Sequence, residues 1–324
     1  MTILVTGSSG YIGSRLAKRL QENGHDVVGV DREFEGSPKD LFRFVRGDLA
    51  DADVRAKALD GVEAIMHLAA AKDDWGIDDD TFLFENLEVT RRLIQDARER
   101  EIHDWVFYSS VAAIGASDEP RTEESLLRPD GAYGASKAEA EAVFRDYADE
   151  VPELACVIIR PSVVFGPGHF SYTNVHRLIE AIRENRFLMV GDGQAIKTTS
   201  YIENVIAATL YLWKRRDKGV QTYIYVDEPV RTTEELVDDI YRLLDKGRPG
   251  VRIPLGLAKS IAWVADIAAD WTGINFPITA ARIEKFNTST NYDASAIREE
   301  GFEQPVGIEE ALQKTISWHL DQVN

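Results

Sequence analysis

Tyr133 and Lys137 stand four residues apart in the run Tyr133-Gly134-Ala135-Ser136-Lys137, which the sequence predicts to start a helix reaching about Asp149. Side chains four apart on a helix share a face. A lone tyrosine, with a pKa of about 10, is a poor base at neutral pH. An ammonium within about 4–6 Å favours the phenolate and lowers that pKa by roughly a unit or more. Paired in this way, Tyr133 can exchange a proton with a substrate hydroxyl. Ser110 stands just past the apolar run Trp105-Val106-Phe107-Tyr108. At the C-terminal end of a parallel strand, its hydroxyl lies where open α/β sheets bind ligands and can hold the same substrate oxygen. Tyr-x-x-x-Lys is a common spacing on helix surfaces, so the surrounding elements decide its meaning.

The first of those elements is Thr6-Gly7-Ser8-Ser9-Gly10-Tyr11-Ile12-Gly13. It follows the apolar run Ile3-Leu4-Val5 and opens an amphipathic segment with Ile12, Leu16, Ala17 and Leu20 on one face. Strand, glycine turn and helix are the context in which three spaced glycines mean dinucleotide binding. Gly7 permits the tight turn, Gly10 lets the backbone approach a pyrophosphate, and Gly13 lets the helix pack on the strand. N–H groups of the loop and helix start, from Ser9 through Tyr11, Ile12 and Gly13, then face the phosphates. His25-Asp26-Val27-Val28-Gly29-Val30 reads as a second strand ending at Asp31. A carboxylate about 20 residues past the loop accepts both hydroxyls of an adenosine ribose and repels a 2′-phosphate, which favours NAD. Arg32, beside it, is the kind of residue that could hold that phosphate instead.

A third strand near 42–45 leads to Gly47-Asp48-Leu49, and a fourth, Val62 to Met66, ends in His67-Leu68-Ala69-Ala70. Small residues at that strand end suit close passage of a cofactor, whereas His67 is read as a packed histidine without a catalytic role. A helix covers 81–100, a loop 115–132, and Leu154 to Ile159 is a sixth strand. Alternating strands and helices over 1–165 predict an α/β fold, a Rossmann-like doubly wound parallel sheet. A smaller, mostly helical C-terminal substrate domain is expected from 166–193 and 229–324, with the chain returning to the first domain around 194–228.

With 324 residues, 44% hydrophobic and 28% charged, the chain reads as an ordinary globular protein. A formal charge of −18 argues against nucleic acid or an anionic membrane as partner. The single cysteine, Cys156, sits in an apolar run and is expected to be buried. No apolar stretch reaches membrane-spanning length, the N-terminus enters a strand at once, and a cytoplasmic location is expected. No metal site is expected.

These motifs together resemble the extended short-chain dehydrogenase/reductases, in the NAD-dependent nucleotide-sugar epimerase/dehydratase group. The Thr6–Gly13 run resembles the family's cofactor loop, Asp48-Leu49 its adenine-contacting pair, and His67-Leu68-Ala69-Ala70 its fourth-strand motif. Asn86 and Thr90 match a helix motif, although Val89 stands where glycine is usual. Ser110, five residues before Gly115, matches the catalytic serine, and Tyr133 and Lys137 match the catalytic pair. Arg160-Pro161 through Val163 to Gly168 resembles the segment passing the nicotinamide. Asn174 and Lys197, the latter eight before Val205, resemble phosphate ligands of the substrate, with Arg282 and Lys285 as further candidates.

Two departures matter. Ile114 replaces a frequent tyrosine, and Ser110 is followed by Val111-Ala112 where 4,6-dehydratases carry two acids. The resemblance therefore implies a nucleotide-diphosphate-sugar 4-epimerase acting through a transient 4-keto sugar. Its rivals are a 4-dehydrogenase or 4-keto reductase, a hydroxysteroid-type dehydrogenase, and a non-catalytic NAD-binding regulator. It also implies a homodimer pairing the Asn86 and Tyr133 helices.

Overall fold

Ile3, Leu4 and Val5 are all fully buried, yet they divide between two faces: Ile3 and Val5 join one hydrophobic cluster and Leu4 another. That is the period-two alternation of a strand covered on both sides. The computed structural model describes residues 1–33, 43–72, 78–168, 173–260 and 280–323. Its central sheet has seven strands, β1 (Thr2–Thr6), β2 (Asp26–Asp31), β3 (Arg43–Arg46), β4 (Ala64–His67), β5 (Asp104–Tyr108), β6 (Ala155–Pro161) and β7 (Gly219–Tyr225). The spatial order is β3-β2-β1-β4-β5-β6-β7, and every neighbouring pair is parallel. The winding direction reverses at β1 and β4, the switch point where such sheets bind ligands beyond the strands' C-terminal ends. Thr6 and His67 end those two strands, side by side in register.

The helix Tyr11–Glu22 buries Leu16, Ala17 and Leu20 on one face of the sheet. The cluster they belong to also takes in Val175 and Ile179 of the helix Asn174–Arg183, Ile240 of Thr233–Leu243, and Leu312 of Ile308–Val323. The C-terminal helices therefore share one core with the sheet. The helix-start signal at Thr232 forms a capping box: its side chain accepts from the Glu235 N–H, and the Glu235 carboxylate accepts from the Thr232 N–H.

Two elements differ from the sequence expectation. The loop 115–132 contains a strand, Ser117–Arg121, paired with Thr290–Tyr292. Its residues are polar and mostly exposed, so only the distant partner makes it a strand. The helix expected over 81–100 runs from 79 to 98 and is not uniform. Asp79–Phe82 passes into a π-helical turn at Leu83–Glu88 and resumes as Val89–Arg98. π turns widen the backbone and occur often at functional sites.

Candidate active site

The glycine loop crosses the switch point. Gly7 has φ +66, and a Cβ there would lie 3.0 Å from the Ala69 nitrogen. A Cβ on Gly13 would lie 2.1 Å from the Gly7 carbonyl oxygen. Both positions therefore exclude side chains. The helix begins at Tyr11 with Gly10 as N-cap and no side-chain cap, so its first N–H groups are left to an anion. The Ser9 N–H donates to Asp31 Oδ2 at 2.9 Å and positions that carboxylate, while the Ser9 hydroxyl donates to the Glu33 carbonyl at 2.8 Å. Arg32 lies against Asp48 and Glu85, at 2.9 Å from each, so two carboxylates already engage the guanidinium that could have met a 2′-phosphate. Leu49 is buried beside Asp48. Tyr11 has its ring under the Arg15 guanidinium and a buried hydroxyl without a hydrogen-bond partner among the described residues. Burial pushes that phenol's pKa up. An uncapped helix start, a side-chain-free approach to Ala69 and a carboxylate at the end of β2 fit NAD.

A buried polar chain links this loop to the Tyr133 helix. Thr6 Oγ1 accepts from the N–H groups of Leu68 and Ala69, both at 3.0 Å, so its own proton goes to His67 Nδ1 at 2.7 Å. His67 Nε2–H must then donate to Thr90 Oγ1 at 2.9 Å, and Thr90 donates to the Asn86 carbonyl at 2.7 Å. Burial first, and the nearby Lys137 second, push the His67 pKa down to about 3, so the ring is neutral at physiological pH. Asn86 donates both amide protons to protein, to the Ala71 carbonyl and to Ser136 Oγ at 3.0 Å each, and accepts from the Ala71 N–H at 2.7 Å. Asn86, expected to contact the cofactor, clamps Ala71, next after the Leu68-Ala69-Ala70 segment, to the Tyr133 helix. Ser136 completes the chain by donating to the Tyr133 carbonyl at 2.8 Å.

Tyr133 and Lys137 lie in the first turns of the helix Gly131–Glu150. The Tyr133 ring is half-buried and meets Phe82 edge-on, 6.0 Å between centroids. Lys137 is 2% exposed, and its Nζ donates to the Tyr108 carbonyl at 2.9 Å. Burial pushes its pKa down to about 8, and Glu141 opposes the fall. Ser110 Oγ accepts from the Ala112 N–H at 3.1 Å and caps the short helical turn Val111–Ala113, which leaves its hydroxyl proton outside that bond. Gly134, which the sequence reading passed over, lets the helix dock on this turn: a Cβ there would lie 2.3 Å from the Ala112 carbonyl oxygen. The signal was present as a glycine inside the helix's first turn, a costly residue unless close packing requires it.

Arg160, expected on the segment passing the nicotinamide, has its guanidinium 1% exposed and gripping Glu141, with Nε at 2.8 Å and Nη2 at 2.6 Å, so the side chain is buried in an ion pair. A buried arginine must be paired, and the partner comes from another element. Val163 is 37% exposed in the short strand Val163–Phe165, which pairs with Thr199–Tyr201. Among the substrate candidates, Asn174 is exposed at the start of its helix. Lys197 Nζ donates to the Thr288 carbonyl at 2.5 Å. Arg282 belongs to the helix Ala280–Asn287, but its side chain and that of Lys285 lie outside the described residues. Ser110, Tyr133 and Lys137 thus share one docked turn-and-helix unit, while Asn174 and Lys197 sit on separate elements. Among the described residues, no group of three His, Cys, Asp or Glu side chains could hold a metal ion.

This arrangement, a dinucleotide loop feeding a Ser/Tyr/Lys unit, is that of an NAD-dependent enzyme of the extended short-chain dehydrogenase/reductase type. Residues 3–226 match the NAD dependent epimerase/dehydratase family, and the chain belongs to that family. It is 28% identical over 319 residues to the N-acetyl-alpha-D-glucosaminyl-diphospho-ditrans,octacis-undecaprenol 4-epimerase of Escherichia coli O157:H7, covering 98% of this chain and 95% of that one. It is 29% identical over 335 aligned positions to the 2-alkyl-3-oxoalkanoate reductase of Stenotrophomonas maltophilia, covering 97% and 98%. Among solved structures, MoeE5 in complex with UDP-glucose and NAD superposes with a TM-score of 0.77 at 26% identity, covering 100% of both chains.

Proposed function

We propose that the protein is an NAD-dependent nucleotide-diphosphate-sugar 4-epimerase working through a transient 4-keto sugar. The observation that carries this reading is the docked unit in which Gly134 seats the Tyr133–Lys137 helix on the Ser110 turn, beside the glycine loop. The Lys137 ammonium favours the Tyr133 phenolate, which takes the proton of the sugar 4-hydroxyl. Ser110 donates to the same oxygen and aligns it. NAD, if held on the glycine loop, would supply reversible hydride acceptance at C4. Once the 4-keto sugar has turned to present its other face, Tyr133 returns its proton to the oxygen. Lys197, Asn174 and Arg282 are the proposed contacts to the substrate diphosphate. Residues 1–165, with the return around 194–228, would carry the cofactor; 166–193 and 229–324 would face the sugar.

The test is a panel of UDP-, GDP- and dTDP-sugars incubated with and without added NAD. Sugar products are separated by chromatography and reduced cofactor is followed by absorbance. Epimer formation without net reduced cofactor is expected. Stoichiometric NADH would instead favour a net 4-dehydrogenase, the reading supported by the full-length likeness to a reductase. We further place the protein in the cytoplasm as a homodimer, built on the helices that carry Asn86 and Tyr133. Leu83 and Phe84 stand 38% and 43% exposed on the first of these. No helix among the described residues is long and apolar enough to cross a membrane. Gel filtration yielding only monomer would refute the dimer.

A further inference from the structure

Glu141 lies one helical turn beyond Lys137, and its side chain is fully buried. Ser109 Oγ donates to it at 2.6 Å, Arg160 Nε at 2.8 Å, Arg160 Nη2 at 2.6 Å and Arg145 Nη2 at 3.0 Å. Arg160 and Arg145 thus share a single carboxylate, whose field also reaches Lys137 one turn away without a direct ion pair among the described residues. Burial alone would raise the Glu141 pKa, but the bonds from Arg160, then those from Ser109 and Arg145, outweigh it and hold the carboxyl below its ordinary value.

Among the described residues, the other groups around Lys137 bring it no carboxylate. On its own helix stand Tyr133 and Glu141. From the end of β4 comes His67, which is neutral. From β5 come the Tyr108 carbonyl and the Phe107 ring, while the Tyr108 phenol bonds Thr209 and burial pushes its pKa up. Arg160 and Arg145 lie beyond Glu141 and add only positive charge. Among the described residues, Glu141 is the anion whose field reaches the Lys137 ammonium.

A buried ion pair is a poor source of stability, because apolar side chains of similar volume often serve as well. What singles this one out is its location. It stands one helical turn from Lys137 and accepts from the hydroxyl of the residue preceding Ser110.

We propose that Glu141 is a positioning residue for the Ser110–Tyr133–Lys137 unit. Its carboxylate keeps Lys137 in the ammonium form inside the protein, and through Ser109 it fixes the turn that presents Ser110. This rests on the proton-transfer roles argued above for Tyr133 and Lys137. Arg160 holds the carboxylate in place, and Arg145 competes for its charge from the solvent side.

The test reads Lys137 directly. In protein carrying 13Cε-labelled lysine, the Lys137 resonance, assigned by its loss in Lys137→Met, is titrated in the absence of substrate. In Glu141→Gln the midpoint is expected to fall by about one unit or more from the wild-type value. In Glu141→Asp, which keeps the charge, most of the wild-type value should survive. The alkaline limb of kcat on a turned-over sugar should move with the midpoint. Midpoints that coincide in wild type and Glu141→Gln overturn the proposal. If Glu141→Gln fails to fold, Arg145→Gln replaces it. That side chain is 42% exposed, and its removal leaves more of the carboxylate's field to Lys137, so the midpoint should rise. An unmoved midpoint there overturns the proposal equally. The titration needs no turnover, so an enzyme inert toward every sugar would refute the epimerase reading and leave this result to be judged on its own.

Discussion

Lys137 carries its charge where the surroundings oppose it. Its pKa is about 8 against an ordinary 10.5, with burial as the leading cause. A cation whose folded pKa is depressed lowers stability most where both states are protonated, below pH of about 8, and the cost fades as pH rises toward the unfolded value. A shift of this size corresponds to about 3 kcal/mol. Lys137→Met, which keeps the length without the charge, should therefore raise the melting temperature at pH 7 while abolishing turnover. A stable but inactive variant is the expected outcome of calorimetry and assay together, and a destabilised one would contradict the burial argument. Tyr133→Phe should leave the fold and NAD binding intact and lower kcat by about 10²–10⁴-fold, the usual contribution of a positioned acid–base group. The shared helix face of Tyr133 and Lys137 was legible in the sequence because i,i+4 spacing is local. The true partner of Arg160 was not, because Glu141 reaches it from a different element, and no local pattern shows which cation a buried carboxylate will meet.

Elements dock here through backbone contact more than through side chains. With Gly134 against the Ala112 carbonyl, a methyl group would push the Tyr133 helix off the Ser110 turn. A misplacement of about 1 Å can cost about 10²-fold in rate. Gly134→Ala should therefore lower kcat by that order with little change in NAD affinity, and stopped-flow turnover beside a cofactor titration would reveal it. The chain from Thr6 through His67, Thr90 and Asn86 to Ser136 makes a second prediction. His67 is neutral in the fold, with a pKa of about 3 against an ordinary 6.5. Below pH of about 6.5 the unfolded chain binds a proton that the folded chain refuses, so stability is present above that pH and is lost as pH falls toward 3, by up to about 5 kcal/mol. Denaturant titrations across this range should show the decline, and His67→Phe should flatten the slope even though its baseline stability is lower. The glycine loop and the strand before it were legible from apolar runs and spacing. The strand Ser117–Arg121 was not, since its partner Thr290–Tyr292 lies far along the chain and neither segment is apolar enough to announce itself.

Across the whole molecule, the sheet and the C-terminal helices are sides of one core. Ile3 and Val5 of β1 belong to the same buried cluster as Ile240 and Leu312. Asp227, just past β7, adds a polar tie: its carboxylate accepts from the Tyr201 N–H, from Asn204 Nδ2 at 2.9 Å and from the Tyr225 hydroxyl at 3.0 Å. Asn204 in turn donates to the Val306 carbonyl at 2.8 Å and accepts from the Val306 N–H at 3.0 Å. The alternation of strand and helix that announced the sheet is a local signal, repeated often enough to read. Sharing of a core between distant segments is not local, so composition could suggest two lobes but not how they cohere. Lobes that were separate domains would unfold independently. A shared core predicts one cooperative transition, with far-ultraviolet ellipticity and tryptophan fluorescence melting together, since Trp105 and Trp213 report from the sheet and its covering helix and Trp318 from the C-terminal helix. Saturating NAD, which would contact chiefly the first half, should raise that single transition as a unit, by about 2.7 kcal/mol at a hundredfold excess over its dissociation constant. Two transitions, of which only the first responded to NAD, would mean that the later helices fold on their own and that the site depends on how they come to rest against the sheet.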